Sequence, residues 1–156
     1  MKIRIWMGTV FAALVLLGSS VAFAGPGVAF SLGEGFTVGE GDTQRTDFNL
    51  EALVYYGIGI IRADLGLLFN VENPDSDIIL RPGARVYVPG ILYGRVAFPV
   101  AMSGDGNWGF MMGIGKNLLN LAALKLFVEV DATFWEQVNF SDVVPLEARV
   151  GLEIGF

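Results

Sequence analysis

Apolar and polar residues alternate along most of this chain with a period of two. Between Leu146 and Phe156 one row is wholly apolar: Leu146, Ala148, Val150, Leu152, Ile154 and Phe156. The other row holds Glu147, Arg149, Gly151, Glu153 and Gly155. Successive side chains of a strand point to opposite faces, so this alternation predicts a strand with one greasy face and one polar face. Seven earlier segments repeat it: 28–32, 47–56, 61–70, 78–88, 91–101, 108–115 and 121–135. The first, Val28 to Leu32, has the faintest pattern. Short turns are expected at Gly57 to Gly59, at Pro89-Gly90 and, somewhat longer, at Lys116 to Asn120. Longer polar connections separate the other pairs.

The charged residues sharpen the picture. The segments carry the acids Asp47, Glu51, Asp64, Glu129, Asp131, Glu147 and Glu153, and the bases Arg62, Arg81, Arg85, Arg95, Lys125 and Arg149. All of them fall on the row opposite the apolar one. With the register of each segment free, chance produces that agreement roughly once in 130 trials. A base on a lipid-facing surface costs ~2–4 kcal/mol near the midplane, so a strand with hydrocarbon outside and a polar interior explains the bias. The signs nearly balance, which predicts an internal network of paired charges, since isolated buried charges are too costly to keep.

Apolar-row aromatics cluster at both predicted ends, Phe48, Phe69, Phe98, Trp108 and Phe134 at one and Tyr56 and Phe156 at the other, the arrangement of two interface girdles. Pro82, Pro99 and Pro145 fall inside predicted strands, where each removes a ladder hydrogen bond. They lie near the ends with the long loops, where a bulge or strand ending can absorb them. The glycines, including Gly113 and Gly115 beside Lys116, lack the strand–loop–helix context of a phosphate loop and are assigned to strands and turns.

Composition restricts the class. The chain has 156 residues, 53% hydrophobic and 17% charged, with a net charge of −6, no Cys and no His. The absence of Cys removes disulfides and thiolate chemistry, and the absence of His removes the usual general base and zinc ligand. The negative charge argues against nucleic-acid binding. Residues 1–24 have the form of a cleaved export signal: Lys2 and Arg4, an apolar run from Ile5 to Leu17, and Ala22-Phe23-Ala24. No other stretch reaches the ~20 apolar residues of a membrane helix, so the expectation for residues 25–156 is a single domain that enters a membrane only as strands.

The alternating C-terminal segment ending on Phe156 resembles the last strand of bacterial outer-membrane β-barrel proteins, and the whole pattern is similar to the small OmpA and OmpX type. That resemblance implies an all-β fold: an eight-stranded antiparallel up-and-down transmembrane β-barrel in the outer membrane of a Gram-negative-type bacterium. It implies that Val150, Leu152, Ile154 and Phe156 form the insertion signal read by the barrel assembly machinery. Outer-membrane lipids and lipopolysaccharide would surround the wall. The barrel enzymes of that membrane rely on a histidine this chain lacks, so no catalytic residues and no cofactor are assigned.

The outer loops are acidic, with Glu34, Glu40, Asp42, Glu72, Asp75, Asp77, Asp105, Glu136 and Asp142 set against Arg45. A solvated anionic rim is the first expectation, and Glu72, Asp75 and Asp77 are weak candidates for a divalent cation. Eight strands leave an interior that side chains just fill, so the charge network, with Tyr55, Tyr87, Tyr93 and Phe127, is expected to plug the lumen. The resulting role is structural or surface interaction. The alternatives are a narrow ion-conducting pore and a soluble periplasmic lipid-binding barrel, which would need the opposite sidedness.

Overall fold

A computed structural model describes residues 25–39, 43–88, 90–102, 106–121, 123–136 and 142–156. The expected export signal, and Glu40, Asp42 and Asp105 of the loops, lie outside them. The chain forms a closed antiparallel barrel of eight strands. These are β1 (Gly25–Gly39), β2 (Asn49–Ile58), β3 (Ile61–Asn70), β4 (Ile79–Val88), β5 (Leu92–Ala97, continued by Val100–Ala101), β6 (Gly109–Leu121), β7 (Leu124–Trp135) and β8 (Val143–Gly155). Each strand pairs with its sequence neighbours, and β8 returns to β1 in a register running from Gly27↔Gly155 to Gly39↔Val143. Closure gives every strand a hydrogen-bonded neighbour on both sides, which is what a sheet needs where water cannot satisfy its backbone.

Sidedness follows the predicted alternation. In β7, Lys125, Phe127, Glu129, Asp131 and Thr133 are buried, while Leu124, Val128 and Val130 are exposed. Val130 is 56% exposed and Arg95 1%. The wall is therefore apolar outside and ionic inside, opposite to a water-soluble lipid carrier.

Several boundaries differ from the expectation: β8 begins at Val143 instead of Leu146, β2 ends at Ile58 instead of Tyr56, and four other changes bear on the interior. β1 runs to Gly39 instead of stopping at Leu32, because its interior row is small by necessity: a Cβ on Gly33 would lie 2.7 Å from Nη1 of Arg149, which folds across it. Small residues there signal occupied space, not a weak strand. Second, 116–120 is strand, not turn. β6 continues to Leu121 through a register shift between Asn117 and Leu119 that sets both Leu118 and Leu119 outward, and β7 accordingly begins at Leu124. A bulge adds one residue to one strand, and its polar pair Lys116-Asn117 looked like turn chemistry. Third, β5 breaks at Phe98 and Pro99; the carbonyl of Pro99 still accepts the Gly109 amide at 2.8 Å, so only the donor that proline lacks is missing from the ladder there. Pro82 and Pro145 stay within β4 and β8. Fourth, β2 begins at Asn49, so Asp47 precedes it.

The long connections lie at one end of the barrel and the tight ones at the other, where Gly59 (φ 61°) and Gly90 (φ 72°) take the left-handed conformation the reversals need.

Candidate functional site

Alternation alone delivers the charged side chains to the interior, and their mutual geometry decides what they do there. Arg95 on β5 is the hub. Its guanidinium meets Glu51 of β2 at 2.9 Å, Asp64 of β3 at 3.2 Å and Glu129 of β7 at 3.0 Å. Arg85 of β4 sits against Asp64 at 3.3 Å, Glu129 at 3.7 Å and Glu153 at 3.9 Å. Arg62 reaches Glu153 at 2.6 Å, and Lys125 approaches the same carboxylate at 3.4 Å. Towards the long-loop end, Arg149 bridges Glu147 at 3.0 Å and Glu51 at 3.5 Å, and Arg81 meets Glu147 at 3.4 Å.

Twelve of the thirteen expected network residues are buried inside the barrel: Glu51, Arg62, Asp64, Arg81, Arg85, Arg95, Lys125, Glu129, Asp131, Glu147, Arg149 and Glu153. Asp47 is the correction. It is exposed at the rim, where its carboxylate accepts from the Asn70 side chain, because the incoming chain has not yet joined the wall. Without it the buried set has six acids and six bases, so the interior is neutral among the described residues. Two uncharged residues join the network beyond the charged set: Ser31 accepts from Arg149 Nε at 3.2 Å, and Asn49 donates to Glu147 at 3.1 Å. The signal for both was present, since they occupy the inward parity.

Aromatic rings pack inside the barrel in the half nearer the tight turns. Tyr87 and Tyr93 lie 4.9 Å apart, Arg62 stacks over Tyr55 and Tyr87 at 4.6 and 4.4 Å, and Arg85 lies over Tyr93 and Phe127 at 5.2 and 5.4 Å. Glycines make room for this layer. A Cβ on Gly27 would stand 2.2 Å from the Tyr55 ring.

Asp131 differs from its neighbours. Neither of its carboxylate oxygens has a hydrogen-bond partner in the protein, and its β8 partner across the ladder is another acid, Glu147. Asp131→Asn is therefore expected to leave stability unchanged or raise it, read as the urea midpoint of the vesicle-bound protein; a drop of the size expected for a paired carboxylate would assign Asp131 a partner.

At the long-loop rim, Arg45 holds both Glu34 and Glu72, the latter at 2.9 Å, and Glu72 also accepts the Phe48 amide at 3.1 Å. The Phe48 amide, followed by Arg45, holds the Glu72 carboxyl below the ordinary carboxylate range; the hydrogen bonds that Arg45 donates to Glu34 and then to Glu72 raise Arg45. Glu72 is one of the three divalent-cation candidates, with Asp75 and Asp77. Arg45 already occupies the Glu72 carboxylate, and no metal-binding group of three is found among the described residues. Because the folded pKa of Glu72 is depressed, its contribution to loop order is complete above its unfolded value of about 4.3 and disappears as pH falls through the lower folded value. A carbon-detected NMR titration is expected to give a Glu72 midpoint below that of the same residue in the unfolded chain, and Arg45→Ala is expected to move it upward.

Val150, Leu152 and Ile154 face outward, and Phe156 is 77% exposed at the barrel's end.

No protein-family model matches this chain, and no curated protein matches it in sequence. Solved structures match in fold. A protein from work on the de novo design of transmembrane β-barrels has a TM-score of 0.51 at 17% identity, covering 83% of this chain and 95% of its own. The designed barrel TMB2.3 gives 0.51 at 16%, covering 85% and 96%. Neisserial surface protein A (NspA) gives 0.50 at 14%, covering 84% and 97%. At these identities the likeness concerns the fold, and that fold is the eight-stranded antiparallel β-barrel of the transmembrane type.

Proposed function

We propose that this chain is an integral outer-membrane barrel of a Gram-negative-type bacterium, exported by a signal at residues 1–24. Its lumen is plugged by the ion network, and its rigid wall displays acidic loops to the outside in a structural or surface-interaction role. One observation carries the reading: an apolar wall surrounds a buried and electrically balanced interior. In water that wall would be an exposed apolar surface far larger than soluble proteins carry, whereas in hydrocarbon it is the expected surface. Neisserial surface protein A, a barrel of similar fold, is by its name a surface protein, which agrees with loops facing outward. None of the three similar structures named above is described as an enzyme, and among the described residues no side-chain group resembles a nucleophile with its base.

The surroundings follow from the same surface. Membrane lipid, with lipopolysaccharide in the outer leaflet, covers the wall, and the row Val150, Leu152, Ile154 and Phe156 is what the assembly machinery reads. The plug favours a closed barrel over a pore, because the hub guanidinium and its three carboxylates span the lumen from β2 to β7. Fractionation with a heat-modifiability gel tests the location: the protein is expected with the outer membrane, its unheated band running differently from its boiled band. Recovery in the soluble periplasm would refute the proposal. Planar-bilayer recording tests the plug, for which no steady discrete conductance is expected.

A further inference from the structure

The tight-turn end of the barrel is greasier than a turn end in water needs to be. Ile60 and Ile91 are 52% exposed, and Leu118, Leu119 and Leu121 are 56%, 49% and 57% exposed. They continue without a break into the outward wall at Ile61, Val88, Leu92 and Leu124. In this half of the barrel, one exposed charged side chain occurs among the described residues. It is Lys116, paired with Val128 on the outward row of β6.

Lys116 fixes the depth of that end. It stands four ladder steps from the end of the β6–β7 hairpin, since Lys116 pairs with Val128 and Leu121 with Leu124 across the bulge. At a rise of about 3.3 Å per residue and a tilt of about 40°, those four steps span about 10 Å along the barrel axis. Were the hydrocarbon to end at the tip of this hairpin, Lys116 would sit about 10 Å inside a band about 25 Å tall, where the lipid face tolerates a base poorly. A lysine stem pointing down the wall covers roughly 6 Å of that distance. Its ammonium therefore reaches the headgroups only if the hydrocarbon edge lies roughly 4 Å above the hairpin tip, which is within the depth of one headgroup layer.

We propose that the turn end is a lipid-binding collar: Ile60, Ile91, Leu118, Leu119 and Leu121 lie in the headgroup layer of the inner leaflet, with Lys116 paired to phospholipid phosphate. This rests on the membrane reading above and adds where the barrel sits and which lipid it prefers. Charge supports the choice of occupant. The exposed acidic side chains of the described residues lie at the long-loop end, while the collar offers a cation with no acidic side chain beside it among the described residues, so anionic phospholipid fits the turn end. A periplasmic protein covering the same residues is the competing occupant.

Because the chain has no cysteine, single nitroxide labels can be placed without other changes. Ile60→Cys, Ile91→Cys and Leu119→Cys, with Val130→Cys for mid-wall and Asp75→Cys for the loops, would be labelled in full-length barrels folded into phosphatidylethanolamine–phosphatidylglycerol vesicles. Power saturation then compares oxygen with a nickel chelate. The collar predicts that oxygen relaxes the turn labels more than nickel does, with a smaller margin than at Val130, and the reverse at Asp75. It also predicts that Lys116→Glu shifts the turn labels toward nickel, more with phosphatidylglycerol than in pure phosphatidylcholine. Turn labels dominated by nickel beside an oxygen-dominated Val130 label would overturn the collar and leave the membrane reading standing. Nickel dominance at Val130 would overturn both. Indifference to Lys116→Glu would overturn the phosphate pairing.

Discussion

Replacing Arg95 with alanine is expected to destabilise the barrel by about 3–5 kcal/mol, the usual penalty for leaving buried charges without a partner. The reason lies in the number of carboxylates it holds. Glu51, Asp64 and Glu129 all lie within 3.2 Å of this guanidinium, and all are buried. Each also touches another base, Arg149 for Glu51 and Arg85 for Asp64 and Glu129, so the network loosens without losing every contact. Arg95→Lys is expected to recover part of the loss, since it restores the charge but not the planar fork that serves several acceptors together. Urea titration of folding into vesicles, followed by gel mobility, reads both variants. A loss below about 1 kcal/mol for the alanine variant would mean the hub is dispensable.

The second large effect is on the other face. Val130→Arg places a base on the lipid side near mid-wall and is expected to cost ~2–4 kcal/mol in the same titration, while Val38→Arg, near the long-loop end of β1, is expected to cost ~0–1 kcal/mol. Depth is the whole difference. Both valines point outward, at 56% and 46% exposure, so a soluble protein would accept either arginine with little change. Equal small costs at the two positions would contradict a hydrocarbon surrounding.

Much of this architecture was legible because two physical rules act on every strand. The period of two assigns each side chain to a face, and the cost of charge against lipid chooses which face is inside. β3 therefore matches its predicted span, Ile61–Asn70, and the row in β8 keeps its parity throughout. The failures share another cause. Where one strand's side chain crosses over its neighbour, the neighbour must be small, so Gly33 beneath Arg149 looked like the end of a strand. Where a bulge changes parity, two successive leucines face the same way, and Lys116 through Asn120 imitated a turn. Asp47 shared the inward parity but lies one step outside the wall, which alternation cannot reveal. The pairing of the charges was beyond a single sequence altogether. Arg95 meets acids on three strands, and that convergence depends on how the closed barrel brings β5 opposite β2 and β3.

Sidedness can be read in the unmodified protein by measuring nuclear Overhauser contacts between side-chain methyls and acyl-chain methylenes in lipid nanodiscs. The methyls of Val128, Val130, Val150, Leu152 and Ile154 are expected to show acyl contacts, and those of Leu53 and Leu68, which point inward, to show none. Acyl contacts at Leu53 and Leu68 with silence at Val150 and Leu152 would contradict the account.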